Sequence, residues 1–357
     1  MQIRGPSPVT TPSGCGDAHD ESARRSAIFR TYLGTLDVQW ITSRDTMNEM
    51  SPRVKRRLIL FFAGTAAGSV LAVFALVVPA RSGGGPVLRK VDASKLPTAV
   101  SDDGFEKLGP PGQLDWRARF HERPQSLEDY VARCANVKGP DRSTFYIQPL
   151  SSPPGRRSLA PGAHEKHEEA VALMREYAEI YFNVPAKVLE PIPMFEETYD
   201  RERGQCQSSE IIDLLARRVP ADALVYIGIA EEDLYAEGLN FVFGEGSLQR
   251  RTGVYSLHRY HSPDEALFYR RALKLMSHEV GHILSIHHCV TWRCAMQGAN
   301  TLMEDDSHPM YLCPIDLAKL EWNCRFDRVE RYRKLLVFYR RLGLKEDAAW
   351  VEKRLDR

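Results

Sequence analysis

The sequence has almost no net charge: 48 Lys and Arg stand against 47 Asp and Glu, a formal net charge of +1. It therefore lacks the one-signed surface that would draw in nucleic acid or acidic substrates. Internal repeats are also missing. The final stretch, 328–357, reads as two helices broken at Gly343, and one such pair does not make a repeat array, so it is expected to dock as a hairpin on the domain before it. Charge is absent altogether from Leu58 to Pro79, a run long enough to cross a bilayer as a helix. A buried core helix rarely stays apolar on every face for so long.

Arg53, Lys55, Arg56 and Arg57 precede that run, which keeps residues 1–57 in the cytoplasm and sends the remainder outward. The run is longer than a signal-peptide core, which favours an uncleaved anchor over residues 58–80. Small residues at Val78 and Ala80 leave cleavage near Ala80, and hence secretion, as the alternative. Gly64 and Gly68 form a GxxxG that hints at helix pairing. Residues 1–49 fit awkwardly ahead of such a segment. They read as a disordered tail or as an over-extended start before Met50, which opens MSPRVKRR.

The most informative run is SHEVGHILSIHHC, 277–289. His278 and His282 are four apart, so on a helix both imidazoles leave one face and can hold one zinc. Glu279 lies beside them, placed to act as general base on a water at that zinc. His288 returns as third ligand if the chain turns sharply after the helix. Three neutral nitrogens leave one zinc position open, which marks a catalytic site. Leu273, Met276, Val280 and Ile283 recur at three- and four-residue steps, as a helix with a buried face requires. The bland alternative is a helix surface carrying two solvated His and a Glu. The third His, at the spacing used by metzincin proteases, weighs against it.

After His288 come Cys289, Cys294 and Met296, then Cys313 and Cys324 in YLCPIDLAKLEWNC. A third-ligand His followed by CxxxxCxM and later by a CxxCxxKL segment, here CPIDLAKL, resembles the archaemetzincins, zinc peptidases of the metzincin clan. YDRERGQCQSSEIIDLL (199–215), DLYAEGLNFVFGEGSL (233–248), CAMQGANTLMEDD (294–306) and STFYIQPL (143–150) extend the resemblance over roughly 110–325. It implies that His278, His282 and His288 bind the catalytic zinc, that Glu279 is the base, and that Met296 packs beneath the site. It also implies a second, structural zinc on Cys289, Cys294 and Cys313. Two positions depart from the pattern. Ser285 stands where the family turn has Gly, which bears on whether His287 or His288 is the ligand; spacing favours His288. Asp316 stands where the fourth structural Cys is expected. The fourth ligand is then Asp316 or Cys324, or the site is lost to disulfides such as Cys289–Cys294 and Cys313–Cys324, with Cys134 and Cys206 as further candidates outside the cytoplasm.

The rest of the chain reads as a linker at 81–112, a catalytic domain at 113–325 and the hairpin at 326–357. Strands are expected at 143–150, 186–194, 223–230, 241–244 and 253–260, with helices at 126–134, 163–182 and 208–218, the last capped by Ser208 or Ser209. The implied fold is α/β (α+β): a metzincin-like zinc-protease domain with a mixed sheet, a zinc helix, a short Cys-rich lower part and a C-terminal hairpin. GVYSLHRY or FVFG is the expected edge strand for a peptide substrate. His258 and His261 read as ordinary surface or packing histidines. The reading is a zinc-dependent peptidase, endo- or aminopeptidase, acting on peptide or protein, held to the membrane through 58–79, with no nucleic-acid partner. Its rival is a membrane-tethered, non-catalytic zinc-stabilised binding module, which would not need Glu279. Another amidohydrolase chemistry shares the same water activation.

Overall fold

A computed structural model describes residues 91–356, apart from 93, 95, 99 and 153–162, all within one compact unit. The apolar run 58–79, the basic residues before it, the cleavage position near Ala80 and the tail 1–49 lie outside the described residues. Among the described residues no helix is long and apolar enough to cross a membrane.

Two short helices come first, α1 (Trp116–Arg119) and α2 (Leu127–Arg133); Ser126 caps α2 by accepting the Asp129 N–H. Then follow β1 (Thr144–Ser151), α3 (Ala163–Phe182), β2 (Ala186–Val188), β3 (Ile192–Pro193), β4 (Tyr199–Asp200), β5 (Gln205–Gln207) and α4 (Ser208–Ala216). The chain continues through β6 (Ala223–Ala230), β7 (Leu234–Tyr235), β8 (Gly244–Ser247), β9 (Thr252–Ser256) and the long α5 (Glu265–Ile283). It ends with α6 (Leu302–Ser307), α7 (Pro314–Cys324), α8 (Arg328–Arg341) and α9 (Lys345–Leu355).

The main sheet runs β2-β1-β6-β9-β8, with β3 also on β1. Its pairings are parallel except at β8, which lies antiparallel to β9. The fold class is thus the mixed α/β one that the motifs imply. Strand β6, ALVYIGIA, is buried at every residue, the continuous apolar run of an inner parallel strand. Alternate side chains separate to two cores. Phe145, Ile147, Val225, Ile227 and Tyr255 pack with α3 and α5, while Tyr146, Tyr226 and Val254 pack with Ile211, Ile212 and Leu215 of α4. A small sheet, β4-β5-β7, is tied to the main body by Arg259, whose guanidinium holds Asp233 at 2.6 Å.

Helix α3 buries Val171, Met174, Tyr177, Ala178 and Tyr181, the stripe visible in its sequence. The hairpin α8–α9 docks there as expected: Tyr339 and Tyr177 share a hydrogen bond of 3.1 Å, and Gly343 takes φ +71° at the break. Residues from Val91 onward, read as linker, pack on the core through Val91, Leu96, Val100 and Phe105.

Three sequence expectations are corrected. GVYSLHRY is not an edge strand: β9 lies between β6 and β8, because its apolar residues are buried on both sides. Of FVFG only Gly244 enters a strand; Val242 makes a single bridge to Leu234, and the sheet edge is the overlapping segment GEGS. Helix α4 starts at Ser208 with Gln207 at its cap position, and Ser208 Oγ instead reaches Glu245 Oε2 at 2.6 Å under the edge strand.

The edge strand lies close over β9. A Cβ on Gly253 would sit 2.8 Å from the Glu245 carbonyl oxygen and 2.9 Å from Tyr255 Oη. Gly253→Ala must therefore displace β8 or the Tyr255 ring and should cost about 1–3 kcal/mol. A fall in the thermal unfolding midpoint is the expected result; an unchanged midpoint would show that β8 can shift freely.

Candidate metal centres

Helix α5 begins at Asp264, whose carboxylate accepts the Leu267 N–H, and ends in a tight reversal. Ser285 adopts φ +73°, its N–H donates to His282 O, and the Ile286 N–H donates to Gly281 O, both at 2.9 Å. This pair of bonds around a left-handed residue is the Schellman arrangement, here with Ser where Gly is usual. The reversal turns His288 back over the helix while His287 stays exposed, its N–H donating to Gln125 Oε1 at 3.2 Å.

His278, His282 and His288 converge: each offers a ring nitrogen, and those atoms all lie within 4.8 Å of one another. Each Nδ1 is committed. That of His278 donates to Ala295 O at 2.9 Å and that of His282 to Ile286 O at 2.7 Å. That of His288 donates to both oxygens of Glu122 at 2.9 Å. With Nδ1 carrying the proton, each Nε2 is a bare acceptor. The Nε2 atoms of His278 and His282 face each other at 3.0 Å, and that of His288 is buried without a hydrogen-bond partner. Lone pairs so arranged repel unless a cation sits between them, so these residues fit a zinc ion. Burial, and then the charge of neighbouring His288, holds His278 down to about pKa 3; burial likewise keeps His282 well below its usual value. Both rings are thus neutral, as metal ligands must be.

Glu279 is fully buried, and neither carboxylate oxygen has a hydrogen-bond partner. Burial pushes its pKa up to about 8, with the charges of Glu245 and Asp305 adding to the shift. Beneath the helix, Met296 is wholly buried, and a Cβ on Gly281 would lie 2.5 Å from its Sδ. Gly281 is thus what lets Met296 press against the ligand-bearing turn.

A second cluster joins Cys289, Cys294, Cys313 and Asp316, all buried, with ligand atoms within 4.8 Å of one another. Asp316 Oδ2 accepts from Cys294 Sγ at 3.2 Å and Cys313 Sγ at 3.3 Å, while Oδ1 is held by Lys319 Nζ at 2.7 Å. Cys324 is buried but is not among these four. The alternative disulfides Cys289–Cys294 and Cys313–Cys324 are not formed. Burial raises the Cys294 and Cys313 thiols and the Asp316 carboxyl, whereas hydrogen bonds with Cys294 and then Cys313 pull the Cys289 thiol down, so charge beyond that one thiolate accumulates here only against a cation. The soft thiol set fits zinc.

The sequence reading did not identify Glu122, Trp116, Gln125 or Lys319 as parts of these centres. Nothing in their local pattern marks them, and the first three lie far from the motif in the chain. His258 and His261 are ordinary: His258, half-buried, has Nδ1 3.3 Å from Glu231 O, and the exposed His261 stacks on Phe268 at 5.5 Å.

A mixed sheet, a helix carrying HExxH and a third histidine returned by a sharp turn define a zinc metallopeptidase. Residues 183–321 match the model of peptidase family M54. The chain is 30% identical over 272 residues to archaemetzincin-2 of Rattus norvegicus, covering 65% of this chain and 74% of that protein. It is 36% identical over 118 residues to archaemetzincin of Methanopyrus kandleri, covering 33% of this chain and 67% of that one. The crystal structure of the Methanopyrus kandleri archaemetzincin matches at TM-score 0.43 and 26% identity, over 53% of this chain and 99% of that one. The chain belongs to the archaemetzincin family of zinc peptidases.

Proposed function

We propose that His278, His282 and His288 hold a catalytic zinc through Nε2 and that Glu279 is the general base for peptide hydrolysis. The observation that carries this reading is the set of three bare nitrogens turned on one point beside a buried, unpartnered carboxylate. When bound, zinc supplies Lewis acidity, polarising the scissile carbonyl and acidifying water. Glu279 takes the proton of the attacking water and later gives it to the leaving amine. A dication beside Glu279 opposes the upward push of burial and keeps the carboxylate available as a base. Strand β8 is the sheet edge beside the helix: Gly246 faces it, with a Cβ there 3.5 Å from Ile283 Cγ1 and 3.8 Å from Glu279 Oε2. A substrate strand adding to β8 would lie along the site.

Cys289, Cys294, Cys313 and Asp316 are proposed to hold a second, structural zinc. Lys319 takes one Asp316 oxygen, leaving the other for the metal, and offsets part of the negative charge. The catalytic domain is placed at 113–325. Residues 58–79 are proposed as its membrane anchor, with the domain outside the cytoplasm, on the strength of their unbroken apolar run and the basic residues before it.

Three measurements test these assignments. Glu279→Gln should keep its zinc while peptide turnover falls by about 10²–10⁴-fold; full turnover would remove Glu279 as base. The purified full-length chain should carry about two zinc ions, and His282→Ala about one. About one falling to none would instead mean that the cysteine cluster holds no metal. Finally, the full-length protein should stay in the membrane pellet through an alkaline wash. Release into the soluble fraction, or a mature amino terminus near Ala80, would replace the anchor with a cleaved signal.

A further inference from the structure

The three histidines are held in two different ways. His278 and His282 donate to backbone carbonyls, acceptors that the fold of 278–296 provides by itself. His288 donates to a carboxylate, and that carboxylate arrives from 166 residues earlier in the chain. Glu122 also lies outside 183–321, the stretch that matches the family model.

Its position is fixed by a strap that crosses the lower part of the molecule. The Leu108 N–H donates to Thr291 O, and the Arg293 N–H to Glu106 O, both at 2.9 Å, so the strap brackets the loop that follows His288. The Trp116 N–H donates to Glu304 Oε1 at 2.7 Å. The Trp116 ring stacks on Phe120, sits edge-on to the His288 ring at 5.0 Å between centroids, and lies where a Cβ on Gly298 would come within 2.6 Å of it. Gln125 then donates to Ser285 O at 3.0 Å and accepts from the His287 N–H, spanning the turn that delivers the third histidine.

We propose that Glu122 is a positioning residue of the zinc centre. By accepting the His288 Nδ1–H through both oxygens it fixes the ring with Nε2 toward His278 and His282. By its negative charge it makes that nitrogen a stronger ligand, which a backbone carbonyl does less well. The strap from Glu106 to Gln125 is thus part of the metal centre, in a region the HExxH motif does not reach. This inference rests on the proposed zinc ligands.

The test compares full-length wild type, Glu122→Gln, Glu122→Ala and His282→Ala. The readouts are zinc affinity by chelator competition, the visible absorption bands of the cobalt-substituted protein, and the thermal midpoint of the metal-free protein. Glu122→Gln keeps the shape and an acceptor but removes the charge. It should weaken zinc at the histidine site by about 10–100-fold and shift the cobalt bands, with the metal-free midpoint unchanged. Glu122→Ala should weaken zinc at least as much. Zinc affinity of Glu122→Gln within about twofold of wild type would overturn the proposal, as would a loss that the metal-free midpoint shares in full, since that marks a purely structural contact. If His282→Ala retains all the zinc of the wild type, the ligand assignment itself fails and this inference falls with it.

Discussion

A single left-handed residue, Ser285, sets the geometry on which the rest of the centre depends. The helix must end within a few residues of His282 and the chain must fold back for His288 to reach the same point. For an L-residue other than Gly, that conformation costs about 1–2 kcal/mol. Several bonds oppose the cost, each contributing about 0.5–1.5 kcal/mol net. The two Schellman bonds close the turn, Gln125 binds Ser285 O, and Tyr130 Oη donates to Leu284 O at 2.9 Å. The same turn presents Ile286 O to His282 Nδ1. One reversal therefore returns the third histidine and fixes the ring of the second.

Both clusters gather groups that would be unfavourable together without a cation. Three bare imidazole nitrogens and an unpartnered carboxylate occupy one; three thiols and an aspartate occupy the other. Burial acts in opposite directions on their two kinds of group, depressing His278 and His282 and raising Glu279, Cys294, Cys313 and Asp316, while hydrogen bonds with Cys294 and Cys313 leave Cys289 as the lowered thiol. A divalent ion would oppose that push on the acidic groups while using His278 and His282 as they stand. Lys319 adjusts the second cluster to its one carboxylate. It binds the Asp316 oxygen that does not face the thiols, a fixed partner for an acid where a fourth thiolate would have had none to share.

Much of this was legible in the sequence because it is carried by local spacing. The four-residue step of His278 and His282, the buried stripe of α3 and the unbroken apolar run of β6 each follow from the period of the element that bears them. The break at Gly343 was equally local. What the sequence did not disclose depends on contacts between distant segments. GVYSLHRY is as apolar as an edge strand with one covered face, and its interior place becomes visible once GEGS, too short and glycine-rich to signal a strand, pairs alongside it. Glu122 and Trp116 sit in a stretch with no periodic pattern, so their approach to His288 was invisible to spacing. Asp316 was recognised as a departure, and its place among the three thiols, where Cys324 is not, follows from the start of α7. There Cys313 occupies the cap position and places Asp316 one turn inside the cluster, while Cys324 lies at the far end of the helix.

The polar contacts around α5 show why a centre built at one end of a long helix needs restraint along its whole length. Arg270 pairs with Asp347 of α9, Arg271 with Asp306 of α6, and Lys274 with Asp305 of α6. Buried or partly buried ion pairs of this kind add little net stability, because desolvation offsets most of their attraction, yet losing one partner is costly. Their effect is to specify position. They seat α6 on α5 in one register, and α6 then offers Glu304 to the Trp116 N–H. Trp116 lies against His288, and Glu122, six residues on, holds its Nδ1. The path closes on itself: from α5 to α6, from α6 to the strap, from the strap to His288, and through the Ser285 turn back to α5. A displacement at any member of that ring moves the third histidine relative to the first two, so the basic face of α5 belongs to the metal centre as much as the histidines at its end.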